Sequence, residues 1–182
     1  MTTGRQRGLI DRIDALDHRI DSWVEPARSV RPLNRVMDMA SAAGDWSRVW
    51  HLANLTLIAR RGHRRDAAVF ALALGAESLI VNQGLKRLIR RPRPTMSGDE
   101  RSQVRTPSTS SFPSGHASSA AFAISMMSTM RGRSAARWLV PVGAIVAYSR
   151  VHVRLHHASD IVAGALVGVA LGRVARGLLR RG

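Results

Sequence analysis

The stretch Ser111–Ala117, SFPSGHA, concentrates residue types that could do chemistry. Pro113 and Gly115 shape a turn, Ser114 is a natural cap for a helix starting there, and His116 falls in that helix's first turn. A helix N-terminus presents unpaired N–H groups and the positive end of a dipole, a seat for an anion. The stretch therefore reads as a turn that holds a phosphate, with His116 handling a proton beside it. A phosphoryl site needs more than this: several fixed cations, a nucleophile with an orienting partner, and an acid. The remaining chain must supply them and hold them in place.

Composition narrows what that chain is. It has 182 residues, no Cys, and a formal net charge of +16, from 28 Lys and Arg against 12 Asp and Glu. Without Cys, disulfides and thiolate metal sites are excluded. The charge points to phosphate ligands, anionic lipid or nucleic acid. At 4% aromatic residues, a stacking platform for single-stranded nucleic acid is poorly supplied. Mean hydropathy is −0.07, yet that figure averages apolar blocks with Arg clusters. The N-terminus has no continuous apolar core before a small-residue cleavage site, so it does not read as a cleavable signal peptide. The Arg- and Ala-rich composition points to a high-GC bacterial genome.

Residues 8–24 place Leu9, Ile13, Leu16, Ile20 and Trp23 at three- and four-residue spacing, with Asp and Arg elsewhere. This predicts an amphipathic helix, lying in the headgroup layer or packing on a bundle, and ended by Pro26 and Pro32. Apolar runs follow at 36–59, Ala67–Leu85, Ala117–Met130, Trp138–Tyr148 and Ile161–Gly172. Several fall short of the roughly 20 residues that cross a bilayer. Small residues crowd them and Arg brackets them, as suits close helix packing in lipid and membrane boundaries. The expected fold is all-α: an integral-membrane bundle of about five spans (residues 36–182) after an amphipathic N-terminal segment (residues 1–35).

Alternation of those spans has a consequence. The run ending at Lys86, the run beginning at His116, and the pair that ends at Ser149 and restarts at Asp160 all meet one face of the bundle. Lys86–Pro94, Pro113–His116 and Ser149–Asp160 are thereby gathered. The basic turns RRGHRR (60–65) and RGRSAAR (131–137), with the C-terminal tail, fall on the other face. Since these lack acidic residues, the positive-inside rule puts them in the cytoplasm and the gathered segments outside. That would carry Arg5, Arg7, Arg12 and Arg19 outside as well, so either the N-terminal helix re-enters the surface or the site faces the cytoplasm.

The gathered segments resemble the signature of the type-2 phosphatidic acid phosphatase superfamily, whose members include lipid phosphate phosphatases and vanadium haloperoxidases. The family pattern K-x6-R-P, P-S-G-H, S-R-x5-H-x3-D matches Lys86…Arg93-Pro94, Pro113-Ser114-Gly115-His116 and Ser149-Arg150…His156…Asp160. The resemblance implies a metal-free phosphatase without a cofactor, acting on a lipid phosphate in a bacterial cell membrane. His156 would be the nucleophile, forming a phosphohistidine. Asp160 would accept a hydrogen bond from its other ring nitrogen, and His116 would protonate the leaving oxygen and then activate water. Lys86, Arg93 and Arg150 would neutralise the phosphate oxygens, with Ser114 and the Gly115 N–H completing the cradle. Implied substrate classes are polyprenyl phosphate or diphosphate derivatives, a decaprenyl-phosphoryl sugar phosphate, phosphatidylglycerophosphate and phosphatidic acid.

Other side chains read more plainly. His18, His51, His63, His152 and His157 carry no motif role, although His157 adjoins His156. Arg87, Arg90 and Arg91 read as headgroup-facing charges, and Glu77 as a buried hydrogen-bonding group. The competing readings are a non-catalytic basic protein of membranes or nucleic acid and a vanadate-dependent haloperoxidase. No nucleic-acid partner is expected, and oligomeric state is open.

Overall fold

The computed structural model describes residues 4–58, 64–95 and 99–179. The turn RRGHRR up to its His63 and the last residues of the basic tail lie outside that set. Every regular element among the described residues is a helix. These are α1 (Gly4–Arg28), α2 (Arg31–Gly44), α3 (Arg48–Ile58), α4 (Arg64–Leu79, continued through a π-helical turn Ile80–Leu85 to Lys86–Leu88), α5 (Gly115–Arg131), α6 (Arg133–His152) and α7 (Ala158–Leu179).

Helix α5 is the axis. It packs along α7 and α6 and also meets α4 and α3. Ser114 starts it as expected, its hydroxyl accepting the Ala117 N–H at 3.4 Å. The seam with α7 is set by size. Gly164 and Gly168 lie so close to α5 that a Cβ on either would strike the Ser114 and Ser118 backbone carbonyls, and one on Gly172 would lie 2.8 Å from the Ser125 side chain. Glycines four apart let two backbones touch where lipid supplies no hydrophobic drive. On the other flank Trp50, Phe70, Leu74, Phe122 and Met126 form the buried apolar core. Glu77 is buried there as read, accepting a hydrogen bond from Ser118.

Among the described residues, two helices are long and apolar enough to cross a membrane, Arg64–Leu88 and Ala158–Leu178. The span expected over 36–59 is broken. Gly44 ends α2, the chain turns through Asp45–Ser47 with positive φ at Trp46 (54°) and Ser47 (57°), and α3 starts afresh. The described part of α3, Arg48–Ile58, covers 11 residues, about 16 Å. Helix α2 instead buries Asn34, Met37, Ser41 and Gly44, one stripe of mostly small and polar residues, against α6.

Helix α1 runs past Pro26 to Arg28. Pro26 has no N–H to bond the carbonyl four residues back, and the helix ends two residues after it. Arg28 then anchors the end: 1% exposed, it donates to the Val151 and His152 carbonyls and pairs with Asp21 and Glu25. The amphipathic pattern is present but turned over. Asp17, Val24 and Arg28 face the protein, while Leu9, Ile13, Leu16 and Trp23 are exposed.

Candidate active site

Backbone bonds stitch the gathered segments together. Ser110 and Ser111 fold onto residues 89–92: the Ser110 hydroxyl accepts the Arg91 N–H (3.0 Å) and donates to the Ile89 carbonyl (2.7 Å), and Ser111 N–H donates to the Arg91 carbonyl (3.0 Å). Ser114 N–H donates to the Asp160 carbonyl (3.0 Å), joining the PSGH turn to α7. Arg93 donates to the Leu155 carbonyl (2.6 Å), the residue before His156. The convergence expected from helix alternation is therefore present at the level of individual bonds.

His156 sits in the turn between α6 and α7. The Arg150 carbonyl, freed at the end of α6, accepts both the Leu155 and His156 N–H groups at 3.1 Å, which fixes His156 beside Arg150. Arg154 makes the turn possible with φ 55°, and its guanidinium is held by Glu25 at 2.7 Å. His156 is 2% exposed, and its Nδ1 lies 3.7 Å from Asp160 Oδ2 without a hydrogen bond. Burial pushes the imidazole down to about 3; the Asp160 carboxylate works against this, and Arg150, Arg93 and Lys86 add to it. The ring is therefore neutral, with all three motif cations near enough to act on it. Asp160 is wholly buried. His157 Nδ1 is 3.3 Å from the same Oδ2, and the His157 N–H donates to it at 2.9 Å, so the neighbouring histidine shares the carboxylate.

His116 Nε2 lies 3.1 Å from both the Ser41 carbonyl and Asp45 Oδ1, so the end of α2 fixes this ring. Gly44 is packed beneath it, where a Cβ would reach the His116 and Val146 side chains. Arg150, 2% exposed, donates to the Ser41 hydroxyl. Gly115 faces Asn82, whose Oδ1 would lie 2.9 Å from an added Cβ. Asn82 belongs to the π-helical turn that immediately precedes Lys86. Such a turn re-aims the side chains after it, and it occurs here at the residues that meet the site. Arg93 also donates to the Pro107 carbonyl (3.1 Å), so it braces the loop as well as facing the site. Burial pushes its guanidinium below its usual range while Asp160 opposes this.

A cavity of about 830 Å³ opens beside these residues, lined by Lys86, Arg87, Arg90 and Arg93 together with the hydroxyls of Thr106, Ser108, Thr109 and Ser110. Thr95 and Thr106 each place a buried, unpartnered hydroxyl there. Among the described residues no group of three or more His, Cys, Asp or Glu side chains is arranged to hold a metal ion.

Sequence reading missed several groups. Arg91 is not a headgroup-facing charge: its guanidinium bonds Asp160 (2.8 Å), Ser159 (2.6 Å), Asp17 (2.8 Å) and Asp14 (2.8 Å). Asp17, Ser41 and Asp45 also reach the site region from α1 and α2. Only the run of acids on α1's inward face hinted at this. His152 has the plain role expected, bonded to Asn34 at 2.8 Å.

A family model described as PAP2 superfamily matches residues 66–181. The decaprenylphosphoryl-5-phosphoribose phosphatase of Mycobacterium tuberculosis is 36% identical over 124 residues, covering 68% of this chain and 67% of that protein. Its namesake from Mycolicibacterium smegmatis is 36% identical over 96 residues, 51% of each. The same architecture occurs in the crystal structure of a transmembrane PAP2-type phosphatidylglycerolphosphate phosphatase from Bacillus subtilis (TM-score 0.70, 22% identity, 92% of this chain and 87% of that one). It also occurs in Aquifex aeolicus LpxE (TM-score 0.72, 19% identity, 89% and 95%). The chain belongs to the PAP2 superfamily, whose model covers every motif described above. It is a phosphoric ester hydrolase of that family, built on an all-helical, membrane-associated fold.

Proposed function

We propose that this phosphatase removes the terminal phosphate from a polyprenyl-phosphoryl sugar phosphate, with His156 as nucleophile. The observation that carries the substrate class is the cavity with two sets of cations. Lys86 and Arg93, whose charges act on His156, suit the phosphate being cleaved; Arg87 and Arg90, which line the same cavity, suit a second phosphate; its Thr and Ser hydroxyls suit a sugar. The name of the Mycobacterium tuberculosis relative describes such a headgroup, a 5-phosphoribose joined to a decaprenylphosphoryl tail.

In the first step His156 Nε2 attacks phosphorus and the bond to the sugar oxygen breaks. His116, its Nε2 side tied to Ser41 and Asp45, gives a proton from Nδ1 to the leaving oxygen. Asp160 offsets the positive charge that grows on the His156 ring. Lys86, Arg93 and Arg150 stabilise the phosphoryl oxygens, with Ser114 and the Gly115 N–H at the end of the cradle. In the second step His116 takes a proton from water, whose oxygen bonds phosphorus as the bond to His156 Nε2 breaks, releasing inorganic phosphate and free His156. The turn 131–137 lies at the far end of α5 from the site, and the positive-inside rule applied to its basic residues supports a site that faces outward. Cysteines at Arg105 and Ser134 should label from opposite faces.

Phosphate release in detergent, with EDTA present, tests the substrate. A polyprenyl-phosphoryl sugar phosphate should give a higher kcat/KM than polyprenyl phosphate or phosphatidic acid. Arg87→Gln with Arg90→Gln should raise KM for the sugar phosphate alone. Equal or better turnover of phosphatidic acid, with no response to those substitutions, would overturn the assignment.

A further inference from the structure

We propose that the N-terminal helix belongs to the reaction machinery, with Asp17 and Arg91 acting as positioning residues that aim Asp160 at the His156 ring. The inference rests on His156 being the nucleophile. Its geometry begins with Asp160, whose buried carboxylate has two ends with different duties. Oδ1 accepts from Arg91 at 2.8 Å, while Oδ2 faces the imidazoles of His156 (3.7 Å) and His157 (3.3 Å). Holding Oδ1 decides where Oδ2 points.

Arg91 is itself held from α1. One guanidinium nitrogen bonds Asp160 and the Ser159 hydroxyl; the other bonds Asp17 and Asp14. Asp17 does more than pair with it. Its Oδ1 accepts the Ser159 N–H (2.9 Å) and its Oδ2 the Ser159 hydroxyl (2.5 Å), so a carboxylate from α1 caps the helix that carries Asp160. Asp17 is 4% exposed on a helix whose neighbouring positions Leu16 and Trp23 are open. Left alone with Asp160, Arg91 would draw that carboxylate fully to itself and weaken its hold on the imidazole. Sharing the guanidinium with Asp14 and Asp17 leaves Oδ2 for the ring.

Docking of α1 does not need this contact, because Arg28, Asp21 and Glu25 fasten its other end to residues 151–154. That separation allows a test in the full-length protein, with a polyprenyl phosphate in detergent as the probe. Asp17→Asn and Arg91→Gln should each lower kcat by roughly 10–100-fold while KM changes little, as for groups that orient a reacting residue. The double variant should be no worse than the poorer single, because both act through one chain of contacts. Asp11→Asn, an exposed charge on the same helix, should leave kcat within about twofold. Arg91→Lys keeps the charge but not the fork, so it should lose kcat like Arg91→Gln even if Asp17→Asn fails to fold. Unchanged kcat in the Arg91 variants beside an inactive His156→Ala would overturn the inference and leave the nucleophile in place. A rise in KM at constant kcat would overturn it too, making Arg91 a substrate contact. Activity in His156→Ala would instead bring down the nucleophile assignment beneath it.

Discussion

The contact of α7 with α5 and the contact of α1 with the site loops both hold the active centre together, by opposite means. Between α5 and α7 the fit is one of size: Gly164, Gly168 and Gly172 leave room for backbone, and Arg176 adds a single hydrogen bond to Thr129. Between α1 and the loops the fit is one of charge: Asp14, Asp17, Asp21 and Glu25 meet Arg91, Arg154 and Arg101, while the apolar side of α1 faces away. The first kind of contact suits a lipid surrounding, where apolar surface gains nothing by being hidden from tails. The second suits the membrane surface, where an acidic face can dock and an apolar face can meet acyl chains. The proposed nucleophile and its carboxylate partner lie where the two contacts meet, on the turn from His156 to Asp160.

That contrast can be broken from either side. The largest effect falls on the shared turn: His156→Ala should remove turnover by at least ~10⁴-fold, whereas His157→Ala should keep much of it, since only His156 is the proposed nucleophile. His116→Asn should cost ~10²–10⁴-fold in kcat by removing the proton donor. Both are read as phosphate release. Next comes the seam. Gly168→Val should destabilise the bundle by about 3 kcal/mol or more, measured by thermal unfolding in detergent, because the added carbons meet the Ser118 carbonyl rather than a movable side chain. Raising salt should not alter that loss. The smallest effects belong to the α1 contact. High salt should speed hydrogen exchange in α1 and leave α5 and α7 unchanged. Acid should do the same. Arg28, Arg101 and Arg154 hold the Glu25 carboxyl below its ordinary 4.5, so this α1 pairing is fully present above pH 4.5 and is lost as pH falls below it.

The same contrast explains what could be read from the chain before its structure. Size-driven packing leaves a local trace: glycines at 164, 168 and 172 recur every four residues, and the runs around them read directly as helices. The PSGH turn also has local causes, since Ser114 caps the helix that its own neighbours form. Glu77 could be placed for a similar reason, as a lone acid in an apolar run must find a partner. Charge-driven contacts leave no such trace. Arg91 stands in a run of arginines with nothing local to single it out from Arg87 or Arg90, and its partners lie more than 60 residues away in sequence at Asp14, Asp17 and Asp160. The break at Asp45–Ser47 was hidden too, because the apolar content of 36–59 resembles a span while the left-handed Trp46 and Ser47 carry no glycine to announce the turn. The hint lay just before them, in Gly44.

Trapping the phosphoenzyme tests the central claim most directly. Enzyme mixed with substrate labelled at the terminal phosphate and quenched within a turnover should carry label that is stable to base and labile to acid, mapping to His156. The label should vanish in His156→Ala. Label on His157, or full turnover with no labelled protein, would contradict it.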